Sequence, residues 1–300
     1  MSNRTVPSLA TSAVAAALAG LVAWAGSDGG ARAGGLPVIA WCAALAFGVN
    51  WVAFVPSWLA HTERFYDLTG SLTYLAVTAL GLVLVGRWDP LSLLLAGLVG
   101  AWALRLGTFL FRRVRREGSD SRFDEIKHDG PRLFMTWTLQ GLWVFLTLAA
   151  ALGAITAARE SSPGALAVVG AGVWLAGFAI EVVADRQKQD FRRDPANRGR
   201  FITTGVWAWS RHPNYFGEIT LWVGVALVGV VGLAGWRYVT LVSPVFVFVL
   251  LTRMSGVPLL EARAAKRWGD DPAFVAYTEN TPVLLLRPPR QPPTPGGGVG

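Results

Sequence analysis

The chain has 300 residues, 53% of them hydrophobic and only 15% charged, with a formal net charge of +8. Soluble domains carry roughly 25% charged residues, so the composition excludes an ordinary water-soluble globule and points to a lipid bilayer as the solvent. A single cysteine excludes an internal disulfide, and three histidines without metal-ligand spacing argue against a zinc or di-iron centre.

Apolar runs of the length needed to cross hydrocarbon, about 20 residues each, recur along the chain. We count eight. They cover about Leu9 to Ala25, Leu36 to Ala60, Gly70 to Val85, Leu91 to Phe111, Leu133 to Ala157, Gly164 to Ala184, Tyr215 to Ala234 and Val239 to Leu251, the last being the shortest. The first follows Arg4 and precedes small residues, a pattern shared by secretory signals; we read it as a retained helix. Cys42, inside the second, is read as packing. Beyond the eighth, the charges between Glu261 and Tyr277, with Leu259, Leu260, Ala264, Ala265 and Trp268, predict an amphipathic surface helix. From Pro288 the Pro/Gly-rich end has no apolar face to bury and is expected to be disordered. The expected architecture is all-α, a polytopic transmembrane bundle. Residues 1–60 form N-terminal helices, 61–287 one catalytic membrane domain and 288–300 a tail.

Orientation follows from Lys and Arg placement. The loop from Arg112 to Arg132 holds seven, that from Asp185 to Arg211 seven, and the chain from Arg253 onward six, against Arg32, Arg87, Arg159 and Arg237 in the alternate connections. Both termini are therefore expected in the cytoplasm, a result that requires an even number of spans. Because these basic loops are short and anchored at both ends, nucleic acid is not the expected partner. Of fourteen Trp residues, Trp88, Trp137, Trp207, Trp209 and Trp236 fall near predicted helix ends and are read as interfacial anchors.

The densest polar stretch runs from Glu181 to Arg200 and is followed by Arg211-His212-Pro213-Asn214-Tyr215-Phe216-Gly217-Glu218. Glu181 and Asp185 are four apart, hence on one helix face where the sixth span ends; Asn214 and Glu218 repeat that spacing at the start of the seventh. Ionisable groups at the edge of a span are costly and functional by default. The basic residues around them suit phosphate. Singly, Lys188, Arg193 or Arg198 read better as solvated loop charges or structural salt bridges.

The stretch from Glu181 to Glu218, with Arg-His-Pro-Asn-Tyr-Phe-Gly-Glu at its centre, resembles the C-terminal domain of the steroid 5α-reductase family, nearest its bacterial DUF1295-like branch. The likeness extends more loosely from about Phe65 to Tyr277. A His-Pro-x-Tyr-x-Gly pattern is shared with isoprenylcysteine carboxyl methyltransferases, phospholipid methyltransferases and sterol reductases, whose cofactors differ. The ungapped spacing from Asp185 through Arg192, Arg200 and Gly205 to Asn214 and Glu218 resembles the reductase pattern of NADPH-contacting residues. On that resemblance Asp185 and Asn214 would hydrogen-bond the cofactor, Arg192 and Arg200 would hold its phosphates, and His212, Tyr215 and Glu218 would complete the contact. Glu181 stands where the family has Asn. The loop holding Arg112, Arg113, Arg115 and Arg116 resembles the family's second basic cofactor loop. Glu261 and Arg263 occupy the region where reductases place a cofactor-contacting His and methyltransferases a Glu. No Gly-x-Gly-x-x-Gly fingerprint is present.

The resemblance implies hydride transfer from NADPH to an enone of a lipophilic substrate, with a Tyr supported by a Glu bonding the carbonyl. The position matching that Tyr reads Trp102. In its place we take Tyr74 as the donor, Asp67, two helical turns away on nearly the same face, as the acidic group, and intramembrane Arg105 as the partner of Asp67. The other readings are an S-adenosylmethionine-dependent methyltransferase and a transporter or scaffold. Against transport, the polar residues gather at one membrane face and no inverted repeat is visible. Composition is that of a bacterial inner-membrane protein.

Overall fold

The computed structural model describes residues 5–117 and 123–289, without the side chains of 113–117. It is 78% helical. The helices are α1 (Thr5–Gly26), α2 (Val38–Leu59), α3 (Tyr66–Val85), α4 (Pro90–Glu117), α5 (Gly130–Ile155), α6 (Ala165–Arg193), α7 (Pro213–Gly229), α8 (Val242–Val249), α9 (Val257–Trp268) and α10 (Pro272–Asn280). A two-residue hairpin, β1 (Arg32–Ala33) with β2 (Leu36–Pro37), joins α1 to α2. Among the described residues, eight helical stretches are long and apolar enough to cross a membrane. The eighth, expected to be short, belongs to a run over Gly235–Trp268 that passes from a 3-10 stretch through α8 and a wide π turn at Leu250–Met254 into α9.

The chain forms two compact units. The first comprises Met1–Gly172 with Trp222–Phe246. Its axis is α5, whose apolar window is 89% buried where other spans reach at most 44%. Helices α1 to α4 all pack on α5. The buried side of α1 is a stripe of small residues, Ser8, Ser12, Ala15, Ala19 and Ala23, which lets backbones approach closely in the absence of a hydrophobic drive between helices. At the C-cap of α5, Thr156, and just past it, the chain leaves the helical ladder and its carbonyls take partners from outside the helix. Arg237 Nη2 donates to Thr156 O at 2.8 Å, and Arg87 donates to Ala157 O and Ala158 O. Two of the four cations expected on one side of the membrane thus cap the same helix end, where the dipole also favours them.

The second unit comprises Val173–Leu221 with Val247–Gly300. Here α6 and α7 cross at two glycines. A Cβ on Gly177 would lie 2.6 Å from Gly217 O, and one on Gly217 would lie 2.7 Å from Gly177 O. Helix α6 continues past the apolar run to Arg193, so Glu181 through Asp190 are helical. The single amphipathic helix expected over 261–277 is two helices. Asp271 Oδ1 accepts from Ala273 N at 2.9 Å and Pro272 takes the first turn, a strong N-terminal signal that starts α10 afresh.

Two of the expected interfacial tryptophans are core residues instead. Trp137 is 1% exposed and packs with Phe123 and Leu133, and Trp207 is 3% exposed. Trp88, Trp209 and Trp236 are exposed.

Candidate functional site

The close crossing of α6 and α7 sets the end of one helix beside the start of the other. Glu181 is buried there, and a Cβ on Gly217 would lie 2.7 Å from its backbone nitrogen. The connection between the helices folds back on α6. Gln187 Oε1 accepts from Val206 N at 3.0 Å, Trp207 Nε1 donates to Ala184 O at 3.0 Å, and Lys188 Nζ sits 4.5 Å from the Trp207 ring. Gly205 has φ 62°, and a Cβ there would run into the Gln187 amide.

At the start of α7 the motif closes on α9. Glu261 Oε2 accepts from Arg211 Nη1 at 2.6 Å, and Glu261 Oε1 faces His212 Nε2 at 2.7 Å. Facing a carboxylate, Nε2 is the protonated nitrogen. Both Glu261 oxygens are then engaged by cationic or polarised donors, the strong class of hydrogen bond. His212 is 5% exposed, its ring stacks on Tyr215 at 5.6 Å, and its Nδ1 is buried with no partner among the described residues. Ser210 anchors the turn: its Oγ accepts from His212 N at 3.2 Å and donates to Leu284 O at 2.9 Å. Arg211 N donates to Pro282 O at 2.9 Å, so the chain after α10 runs alongside the motif. A cavity of about 590 Å³ lies there, lined in part by Arg211, Thr278, Thr281, Leu286 and Arg287. Burial pushes the neighbouring Tyr277 phenol above its ordinary range.

The cations of the connection differ from Arg211. Arg193 pairs with Asp190 at 3.2 Å. Arg192, Arg198 and Arg200 are exposed and have no acidic partner among the described residues.

Of the residues singled out from the sequence, Glu181, Asp185, Arg192, Arg200, His212, Asn214, Tyr215, Glu218, Glu261 and Arg263 all lie in the second unit. His212 and Glu261 are brought into contact, whereas Arg263 is exposed on α9. The side chains of Arg113 and Arg116 lie outside the described residues. Asp67, Tyr74 and Arg105 lie in the first unit, on α3 and α4, which pack together. Tyr74 is 1% exposed, edge-on to Trp102 at 5.0 Å and Trp143 at 5.4 Å, and stacked on Trp222 at 6.0 Å. Arg105 lies 5.4 Å from the Phe109 ring. Sequence reasoning missed Arg211 as the second partner of Glu261. Its place beside His212 in the motif was the available signal.

Fold and constellation together define a polytopic helical membrane protein with a hydrogen-bonded, cation-rich site at the ends of α6, α7 and α9. Residues 53–281 match the family described as "Protein of unknown function (DUF1295)", and the chain belongs to that family. It is 25% identical over 193 residues to "Uncharacterized protein C594.04c" of Schizosaccharomyces pombe, covering 54% of this chain and 56% of that one. It is also 27% identical over 150 residues to "Probable O-methyltransferase ustE" of Ustilaginoidea virens, covering 50% of each. The chain thus spans about half the length of these curated relatives. No solved structure matches it.

Proposed function

We propose that the chain is a membrane-embedded, NADPH-dependent reductase that transfers hydride to an activated C=C bond of a lipophilic substrate. The observation that carries this reading is electrostatic. Arg192, Arg198 and Arg200 stand exposed without acidic partners among the described residues, while Glu261 has both oxygens bonded to Arg211 and His212. NADPH carries a pyrophosphate and a 2′-phosphate, which fixed guanidiniums recognise in bidentate fashion. S-adenosylmethionine sets a sulfonium and an ammonium against one carboxylate, a net cation that such a surface repels.

The donor set fits the dinucleotide. Arg192 and Arg200 serve phosphate oxygens, Asp185 and Asn214 serve hydroxyl and amide groups, and the unpartnered His212 Nδ1 accepts from an N–H or O–H. Glu181, Tyr215, Glu218 and Arg263 are assigned to the same cofactor. The cofactor supplies the hydride; the protein orients the reactants and excludes water. For the substrate carbonyl we assign Tyr74 as hydrogen-bond donor, Asp67 as the acidic group and Arg105 as the partner of Asp67. Three indoles surround Tyr74, and in so apolar a setting a donor to a developing enolate is most effective. By the placement of lysine and arginine we assign this chemistry to the cytoplasmic face, and by composition to a bacterial inner membrane.

A second reading, S-adenosylmethionine-dependent O-methylation, is favoured by the Glu261–His212 pair and by the name of the Ustilaginoidea virens relative. There His212 would accept the proton of the hydroxyl or carboxyl group being methylated. Calorimetry on the full-length protein in nanodiscs, titrated with each cofactor, separates the two. NADPH binding weakened by Asp185→Ala and Asn214→Ala supports the reductase. Binding of S-adenosylmethionine alone moves the chain to methyl transfer, and a response to neither returns it to transport or scaffolding.

A further inference from the structure

Arg198 and Arg200 flank Gly199, which has φ 81°, in the left-handed region. The Gly199 carbonyl accepts a hydrogen bond of 2.6 Å from Trp268 Nε1, the indole of the last residue of α9. The Trp268 ring packs on Phe201 at 5.7 Å and Phe274 at 6.0 Å, and Phe201 also meets Tyr277 at 5.9 Å. Tyr277 in turn donates its hydroxyl to Trp207 O at 2.7 Å. The segment from Gly199 to Trp207 is therefore tied at both ends to α9 and α10 by aromatic donors. The exposed guanidiniums of Arg198 and Arg200, on either side of the pinned Gly199, are carried by a backbone that is already fixed.

We propose that Trp268 is a positioning residue for coenzyme choice: by holding the Gly199 carbonyl it presents Arg198 and Arg200 as a fork for the 2′-phosphate of NADPH. This rests on the NADPH reading of the site. A flexible basic loop would lose backbone freedom on binding, whereas a pinned one loses only side-chain freedom, so the same two cations bind more tightly. The 2′-phosphate is absent from NADH. A fork built for it therefore changes the affinity for one coenzyme and leaves the other alone, which a general folding defect does not.

The full-length protein in nanodiscs is titrated with NADPH and NADH. Wild type is expected to prefer NADPH by roughly tenfold or more, the scale of one strong charge-assisted contact. Trp268→Phe keeps an aromatic ring and removes the N–H; NADPH affinity is expected to fall about fivefold to tenfold with NADH affinity unchanged. Gly199→Ala adds a Cβ that meets nothing within 4 Å but disfavours the left-handed conformation. It should lower the same ratio, and it decides the matter if Trp268→Phe does not fold. An unchanged preference, or an equal loss for both coenzymes, overturns the positioning role. A wild-type protein that binds both coenzymes without preference also overturns it while sparing the dinucleotide site, and one that binds neither removes the NADPH reading itself.

Discussion

Arginine has opposite fates in the two units. In the first, Arg237 is 3% exposed and, with Arg87, is bonded to the carbonyls that end α5. In the second, Arg192 on the last turn of α6 and Arg198 and Arg200 in the well-tied connection are exposed, with no acidic partner among the described residues. The contrast teaches that a count of cations at a helix end does not identify a site. What matters is whether the guanidinium is already satisfied: a capped carbonyl fixes the fold, and an unsatisfied cation on a rigid backbone is available to a ligand.

The largest effect belongs to neither set of cations but to the glycine crossing on which the second unit depends. In Gly177→Val the new Cβ would lie 2.5 Å from Leu221 N and 2.6 Å from Gly217 O. Both are backbone atoms of α7 that cannot rotate away. Folded protein is expected to be lost, as monitored by monodisperse elution and thermal unfolding in detergent. Next comes Arg237→Leu, which removes a buried charged donor from Thr156 O and leaves that acceptor with Ala31 N alone. A cost of about 2–4 kcal/mol is expected, with coenzyme affinity unchanged in the fraction that remains folded. A loss of affinity at unchanged stability would erase the distinction between the two sets of arginines.

The same contrast explains what was legible in the sequence. Eight spans could be read because length and apolarity are summed over about 20 residues and tolerate local exceptions. The end of α6 could not, because hydropathy falls after Ala184 while the helix goes on to Arg193, with no Pro until Pro195. The motif from Arg211 to Glu218 was visible as a cluster. Its closure by Glu261 was not, since that contact joins residues fifty apart. Trp268 and Tyr277 were hidden for the same reason, reaching back 69 and 70 residues to Gly199 and Trp207. Composition likewise marks every Trp near a helix end as an anchor. It cannot tell Trp236, 75% exposed, from Trp207, whose indole donates inward to Ala184 O.

Between the two sets of arginines stands Glu261, with a side chain 31% exposed and partners that are 15% and 6% exposed. Glu261→Ala leaves Arg211 and His212 without their shared acceptor. A stability loss of about 1–3 kcal/mol is expected, together with weaker coenzyme binding, because the His212 ring loses the bond that fixes its protonated nitrogen. Glu261→Gln keeps the shape and one acceptor oxygen and should recover most of the stability but less of the binding. Equal recovery of both would reduce the Glu261–His212 pair to packing.

The smallest effect on stability, and the sharpest test of the contrast, is expected from Arg200→Ala. Its side chain is exposed and has no ion-pair partner among the described residues, so unfolding should move by no more than about 0.5 kcal/mol. NADPH affinity should nevertheless fall about tenfold, as expected when one guanidinium–phosphate contact is lost. Raising salt should weaken NADPH binding more in wild type than in the variant, so the gap between them narrows, because the screened interaction is the one removed. Arg200→Lys restores the charge without the planar fork and should recover part of the affinity. If Arg200→Ala instead destabilised the protein as strongly as Arg237→Leu, the second unit's cations would be structural caps like those of the first.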